Sequence, residues 1–348
     1  MSKETEKRGP KGGGGGFGPR GIGRPVDKAK DFKGTLKRLA RYMGQYRWSL
    51  VIVFMATLLS TLFSILSPKI LGQATTVLFD GMLSKLEGLP NAGVDLAAIG
   101  RILLVLSSVY VLSAIFSYIQ QTVMVNVAQK TVYNMRKDIN QKLARLPLKY
   151  YDTTSHGDTL SRFTNDVDVI SQSLQQSVIE MMSSLISIIG VTIMMLTISP
   201  ILTLLTAGML PLSAGISAFI ASRSQKFFVR QQNILGQLNG HVEETFTGHT
   251  IVKAYGLEHE AEEAFKEVNE ELYANGWKAQ FVSGTIMPLI RFVGNIGYVV
   301  IAVVGGVFVT QGTITIGNVQ AFMQYSRQFG MPITQLASIA NILQSTAA

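Results

Sequence analysis

The chain has 348 residues, of which 47% are hydrophobic and 15% charged, with a net charge of +9. About a quarter charged is usual in a soluble domain, so this balance, with a mean hydropathy of +0.28, points to a membrane. Cysteine is absent, which excludes disulfides, thiol chemistry and Cys-based metal sites.

Residues 1–31 form a Gly-, Lys- and Arg-rich tail that includes Gly12–Gly16. Such a composition cannot bury a core and is expected to be disordered. No Gly-Lys-Ser/Thr follows the glycines, so they are not a phosphate loop. Residues 32–47 predict an amphipathic elbow helix. Phe32, Leu36, Leu39, Ala40 and Met43 share one face, while Lys33, Lys37, Arg38 and Arg41 fall elsewhere. That helix should lie on the inner leaflet, anchored by Tyr42, Tyr46 and Trp48. The long polar stretch ahead of the first apolar run argues against a cleavable signal peptide.

Residues 48–348 read as one membrane domain. A bilayer core of about 30 Å takes roughly 20 apolar residues of helix. Ser49–Pro68 is one crossing and Ile102–Gln129 a second. Met181–Ser222 is about twice that length and carries Ser199-Pro200 near its middle, so it predicts a hairpin. Phe292–Ser326 splits at Thr310-Gln311-Gly312, with an outgoing helix from near Phe281 and a return toward Gln344. The expected fold is an all-α membrane protein of six transmembrane helices.

Charge sets the orientation. Before Trp48, 13 Lys or Arg stand against four acids, and Lys130–Arg162 carries seven more Lys or Arg. Gln73–Gly100 has one Lys and three acids. Basic segments stay in the cytoplasm, so both termini are expected there. Attraction of the tail to anionic headgroups explains the basic pI, and nucleic-acid binding is not expected.

The second long inner segment keeps a helical apolar period in two stretches: Phe228, Leu235, Leu238, Val242 and Phe246, then Phe265, Val268, Leu272 and Ala279. Gly256 offers a break between them, and Pro147 with Ser155-His156-Gly157 breaks the earlier segment. These are long helical arms with short tips, projecting into the cytoplasm. Tipped arms suit contact with a partner.

In order along the chain stand Leu146-Pro147-Leu148-Lys149-Tyr150-Tyr151-Asp152, His156-Gly157-Asp158-Thr159-Leu160-Ser161-Arg162 and Asn165-Asp166-Val167-Asp168. Leu235-Gly236-Gln237-Leu238-Asn239-Gly240, Thr250-Ile251-Val252-Lys253-Ala254-Tyr255 and Tyr325-Ser326-Arg327-Gln328-Phe329 follow. This ordered set resembles the transmembrane domain of ATP-binding-cassette (ABC) exporters, the type I exporter or type IV ABC transmembrane fold. It is most similar to one subunit of the bacterial heterodimeric multidrug exporters. The resemblance implies that the arm tips, Tyr151–His156 and Ala254–Glu262, are coupling helices that dock on nucleotide-binding domains. It assigns that contact to Tyr151, Asp152, His156, Gly157, Tyr255, Gly256 and Glu258. It also implies a second half-transporter subunit in a homo- or heterodimer, location in a bacterial plasma membrane, and use of ATP and Mg2+. Nothing in this chain matches Gly-x-x-x-x-Gly-Lys-Ser/Thr, so it holds no ATP-hydrolysing motif. The helical pattern runs uncapped to the end, and a nucleotide-binding domain is expected after residue 348.

Polar side chains in a bilayer turn toward a bundle interior or an aqueous cavity. On the last helix Gln324, Gln328 and Gln335 form a polar stripe beside Arg327, next to aromatic Phe322, Tyr325 and Phe329. Together with Gln120, Gln121, Arg291 and Asn295 they outline a cavity for an amphipathic small molecule. The other reading has the glutamines bonding between helices. Glu180 and Arg291 are intramembrane charges that could pair, or Arg291 could face the cavity and favour anionic or zwitterionic compounds. The four histidines, His156, His241, His249 and His259, form no ligand cluster, and no metal site is expected. The resulting expectation is an ATP-driven exporter of hydrophobic or amphipathic compounds (drug, lipid or peptide class). The competing class is a self-contained secondary carrier or channel, for which Glu180 is the one intramembrane carboxylate.

Overall fold

The computed structural model describes residues 32–88 and 93–347. The tail 1–31 and its expected disorder lie outside the described residues. Among these, every regular element is helical. The chain runs through α1 (Phe32–Gly44), α2 (Arg47–Leu86), α3 (Leu96–Leu143), the short α4 (Leu148–Thr153) and α5 (His156–Ser161), and a π-turn at Arg162–Asp166. Next come α6 (Val167–Ile198), α7 (Pro200–Thr247), α8 (His249–Tyr255), α9 (Glu258–Gly284), α10 (Ile286–Thr310) and α11 (Ile316–Ala347).

The breaks have local causes. Asp95 caps α3, its carboxylate accepting from the Ala98 amide at 2.8 Å. Ser199 is extended (φ −159°), and its hydroxyl accepts from the Leu202 amide at 3.3 Å. Pro200 is the first residue of α7, where a missing N–H costs nothing. At Gly256 (φ 66°) and Gly312 (φ 72°) the chain enters the left-handed region that glycine tolerates. Leu257 and Thr313 then donate back to the Val252 and Phe308 carbonyls, closing α8 and α10.

Among the described residues five spans are long and apolar enough to cross a membrane: Arg47–Leu86, Leu96–Leu143, Thr159–Ile198, Pro200–Thr247 and Glu258–Thr310. The sixth expected crossing, α11, has the length but not the apolarity. Asn318, Gln320, Gln324, Arg327 and Gln328 interrupt it. The structure thus supports five of the six expected crossings among the described residues.

Among the described residues two compact units form, one holding Gln225–Ala279 and the other residues 32–88 and 93–224 with 280–347. In the first, Arg230 pairs with Glu271 at 2.8 Å, tying α7 to α9. His241 bonds the Ala261 carbonyl at 3.0 Å. In the second, α2, α3, α6, α10 and α11 pack together. One core cluster joins Ile65, Val191, Met195, Leu202, Ile301, Phe322 and Tyr325. Another joins Met43, Val53, Met124, Val127, Leu174 and Ile179. Lipid is as apolar as leucine, so these helices associate through close packing and hydrogen bonds rather than through hydrophobic transfer.

Candidate functional site

The tightest packing lies between α2 and α11. A Cβ on Gly317 would stand 1.8 Å from the Gly72 carbonyl oxygen, and one on Gly72 would stand 2.4 Å from that of Gly317. Only hydrogen fits there. The Thr76 hydroxyl donates to the Gly72 carbonyl at 3.1 Å and accepts from the Gly317 amide at 3.2 Å. It also meets the Thr315 hydroxyl at 3.2 Å. Thr75 donates to Gln320 alongside. None of these was singled out from sequence, although paired glycines among threonines in apolar helices are the usual mark of close helix contact.

Below this seam Pro68 interrupts α2. Proline removes its own N–H and opens the neighbouring ladder bond. Tyr325 packs beside this break: it is 0% exposed, and its hydroxyl donates to the Ile65 carbonyl at 2.7 Å. Tyr325 was expected in a substrate cavity. Within this chain it and Phe322 lie in the core, and the Tyr325 hydroxyl reaches the backbone of α2.

The glutamines divide. Gln335 and Gln320 bond across helices, to Ser184 at 3.2 Å and to Thr75. Gln324 and Gln328 are half-buried and Gln121 is exposed. Gln120 is buried with its side-chain oxygen unpartnered among the described residues. Arg327 stacks over the Tyr298 ring of α10 at 5.1 Å.

On α10, Arg291 and Asn295 are exposed. With Met287, Pro288 and Phe292 they line an open concavity of about 540 Å³. Glu180 is exposed on α6 and makes no ion pair with Arg291. Their mutual pairing is therefore not formed within this chain. The concavity joins one guanidinium, one amide and apolar walls, which suits the head and first carbons of an amphipathic anion.

The tips are short helices, α4 and α8. Tyr151 is half-buried, and its hydroxyl donates back to the Leu143 carbonyl at 2.7 Å. Its ring stands edge-on to Tyr150 at 5.6 Å and 6.4 Å from that of His156. It fastens α4 to the end of α3 rather than pointing outward. Leu148, not foreseen from the sequence, is 81% exposed there, and Asp152, His156 and Gly157 are exposed beside it. On the second tip Tyr255 is 77% exposed, with Gly256 and Glu258 exposed as well. Lys253 pairs with Glu258 at 2.8 Å across Gly256. That hydrogen bond, with backbone bonding and the lysine charge, holds the Glu258 carboxyl below its ordinary value.

Apolar helices that span repeatedly, joined by long arms with short helical tips, define a multi-pass membrane protein. Residues 50–333 match the family model described as the ABC transporter transmembrane region, and the chain belongs to that family. It is 36% identical, over 95% of its length, to the "Fatty acid ABC transporter ATP-binding/permease protein" of Mycobacterium tuberculosis (strain CDC 1551 / Oshkosh), covering 57% of that protein. It is 35% identical, over 92% of its length, to the "Uncharacterized ABC transporter ATP-binding protein YfiC" of Bacillus subtilis (strain 168), covering 51% of that protein. A more distant match, 24% identical over 68% of this chain and 39% of the relative, is the "ATP-dependent lipid A-core flippase" of Syntrophus aciditrophicus (strain SB). The chain thus spans about half the length of the first two.

Proposed function

We propose that this chain is the membrane-spanning part of an ATP-driven exporter that moves amphipathic compounds out of the cytoplasm by alternating access. The favoured cargo is an acyl chain with an anionic head. The observation that carries this reading is the Arg291–Asn295 concavity between Met287 and Phe292. The fatty-acid transporter among its relatives supports the same class. ATP and Mg2+ would be held by a nucleotide-binding domain, since this chain has no phosphate-loop motif. Two such domains would take up the arm tips, the first tip through Leu148, Asp152, His156 and Gly157 and the second through Tyr255, Gly256 and Glu258. A second subunit of the same fold would complete the pathway. Both termini would face the cytoplasm of a bacterial cell whose plasma membrane holds the protein, as the distribution of Lys and Arg supports.

The test reconstitutes the full-length subunit with its nucleotide-binding domain and partner in liposomes and measures ATP turnover. Oleate should stimulate it more than oleylamine of the same chain length. Arg291→Gln should lower that preference by about tenfold, the scale of one charge-assisted hydrogen bond. Equal stimulation by acid and amine would sink the anionic-cargo reading.

A further inference from the structure

The sequence places the apolar face of α1 against lipid; in the structure Leu39 and Met43 of that face pack inward, while Ala40 is exposed. Met43 is buried, and Leu39 packs on the cluster of Val53, Met124 and Leu174. The Tyr42 hydroxyl donates to Asp138 of α3 at 2.8 Å, and Asn134 of α3 donates to the Tyr46 hydroxyl at 3.0 Å. That docking leaves Lys37, Arg38 and Arg41 exposed on α1, with Arg47 exposed just past the turn. The Arg47 guanidinium stands 5.9 Å over the ring of Trp48, which is 72% exposed. Among the described residues no acid pairs with any of these four cations.

We propose that this basic face of α1 is a binding site for anionic phospholipid headgroups of the inner leaflet, and that its occupancy is felt at the tip α4. An exposed tryptophan at the start of a spanning helix sits at headgroup level. Unpaired guanidinium groups beside it match phosphate oxygens bidentately, and clustered Lys and Arg next to a spanning helix attract anionic lipid. The route onward is short. Asp138 and Leu143 lie five residues apart on α3, about 7.5 Å of helix rise. The Leu143 carbonyl is the one that holds Tyr151 of α4. Headgroups that pull on α1 therefore load α3 through Tyr42–Asp138, the contact made from α1 itself, since Tyr46 lies beyond the end of α1. The headgroup site stands independently of the transport reading; the significance of α4 rests on its proposed coupling role.

The chain contains two tryptophans, so Trp277→Phe leaves Trp48 as the sole fluorophore. In vesicles, brominated phosphatidylglycerol should quench Trp48 about twofold more than brominated phosphatidylcholine at equal mole fraction, given the attraction of each basic residue. The triple variant Lys37→Gln, Arg38→Gln, Arg41→Gln should lose that excess. Lys137→Gln with Lys142→Gln, exposed cations on α3, should keep it. Equal quenching by the two lipids, an excess unchanged in the triple variant, or an excess also lost in the α3 control would each overturn the site. Amide hydrogen exchange tests the link. Phosphatidylglycerol should slow exchange across Lys142–Thr153, and Tyr42→Phe should abolish the slowing while Trp48 quenching persists. No slowing, or slowing retained without the Tyr42 hydroxyl, would overturn the link. Lost transport with quenching intact would count against the proposed function alone.

Discussion

Next to Pro68 in α2, one hydroxyl from α11 bonds the backbone at Ile65. Tyr325→Phe keeps the ring and removes that hydrogen bond. The loss should destabilise the fold by about 0.5–1.5 kcal/mol, read as a lower melting temperature and earlier unfolding in SDS. A variant as stable as wild type would show that the kink needs no external partner. Gly317 acts through absence instead. Gly317→Ala places a carbon 1.8 Å from the Gly72 carbonyl oxygen, and a backbone atom cannot give way as a flexible side chain can. Moving the helices apart should cost on the order of 1–3 kcal/mol. Gly305→Ala is the matched control, because there the new carbon meets only Val319 side-chain atoms at 3.0 Å. Gly317→Ala should melt lower than this control, and equal melting temperatures would reject the seam.

Helix ends respond to pH where charges staple them. Glu258 stabilises the turn after α8 through Lys253, and its carboxyl is held low in the folded chain. A depressed carboxylate contributes fully above its unfolded value and loses that contribution as pH falls through the folded one. Amide exchange across His249–Tyr255 should therefore accelerate below the ordinary carboxylate range, and Glu258→Gln should remove this acid dependence. An unchanged acid response in that variant would place the titration elsewhere. Breaks of this kind were legible in the sequence: Ser199-Pro200, Gly256 and Gly312 end helices for reasons carried by their own backbones. The inward turn of α1 was not, because Lys37 and Leu39 alternate as they would in either orientation, and only Asp138 and Met124, far along the chain, decide between them. The burial of Tyr325 was not legible for the same reason. Its place depends on Pro68, 257 positions earlier, through the bond to Ile65.

At the scale of the whole molecule, orientation and cargo are the open tests. The absence of cysteine allows single cysteines to report on sidedness. Gly88 and Gly312 have positive φ, so their exposed neighbours Glu87 and Gln311 are the better outer probes. Gly157 and Ala254 serve on the inner side. In intact cells an impermeant thiol reagent should label Glu87→Cys and Gln311→Cys and spare Gly157→Cys and Ala254→Cys. Labelling of Gly157→Cys would invert the assignment. Arg291 tests the cargo. No ion pair with Glu180 is formed within this chain, so Arg291→Met should melt within about 0.5 kcal/mol of wild type, as expected for an exposed substitution. Its effect should appear in the choice between anionic and cationic compounds. A strongly destabilised variant would instead reveal a partner supplied by another subunit.

The hydroxyl that mends α2 also ties two distant stretches of the gene into one inherited unit. A lineage that exchanged the tyrosine for phenylalanine while keeping the proline would carry one bond fewer between α2 and α11 in every descendant. One that first lost the proline would regain an unbroken ladder and be released to vary at position 325. Change should therefore be ordered, with the proline lost before the tyrosine.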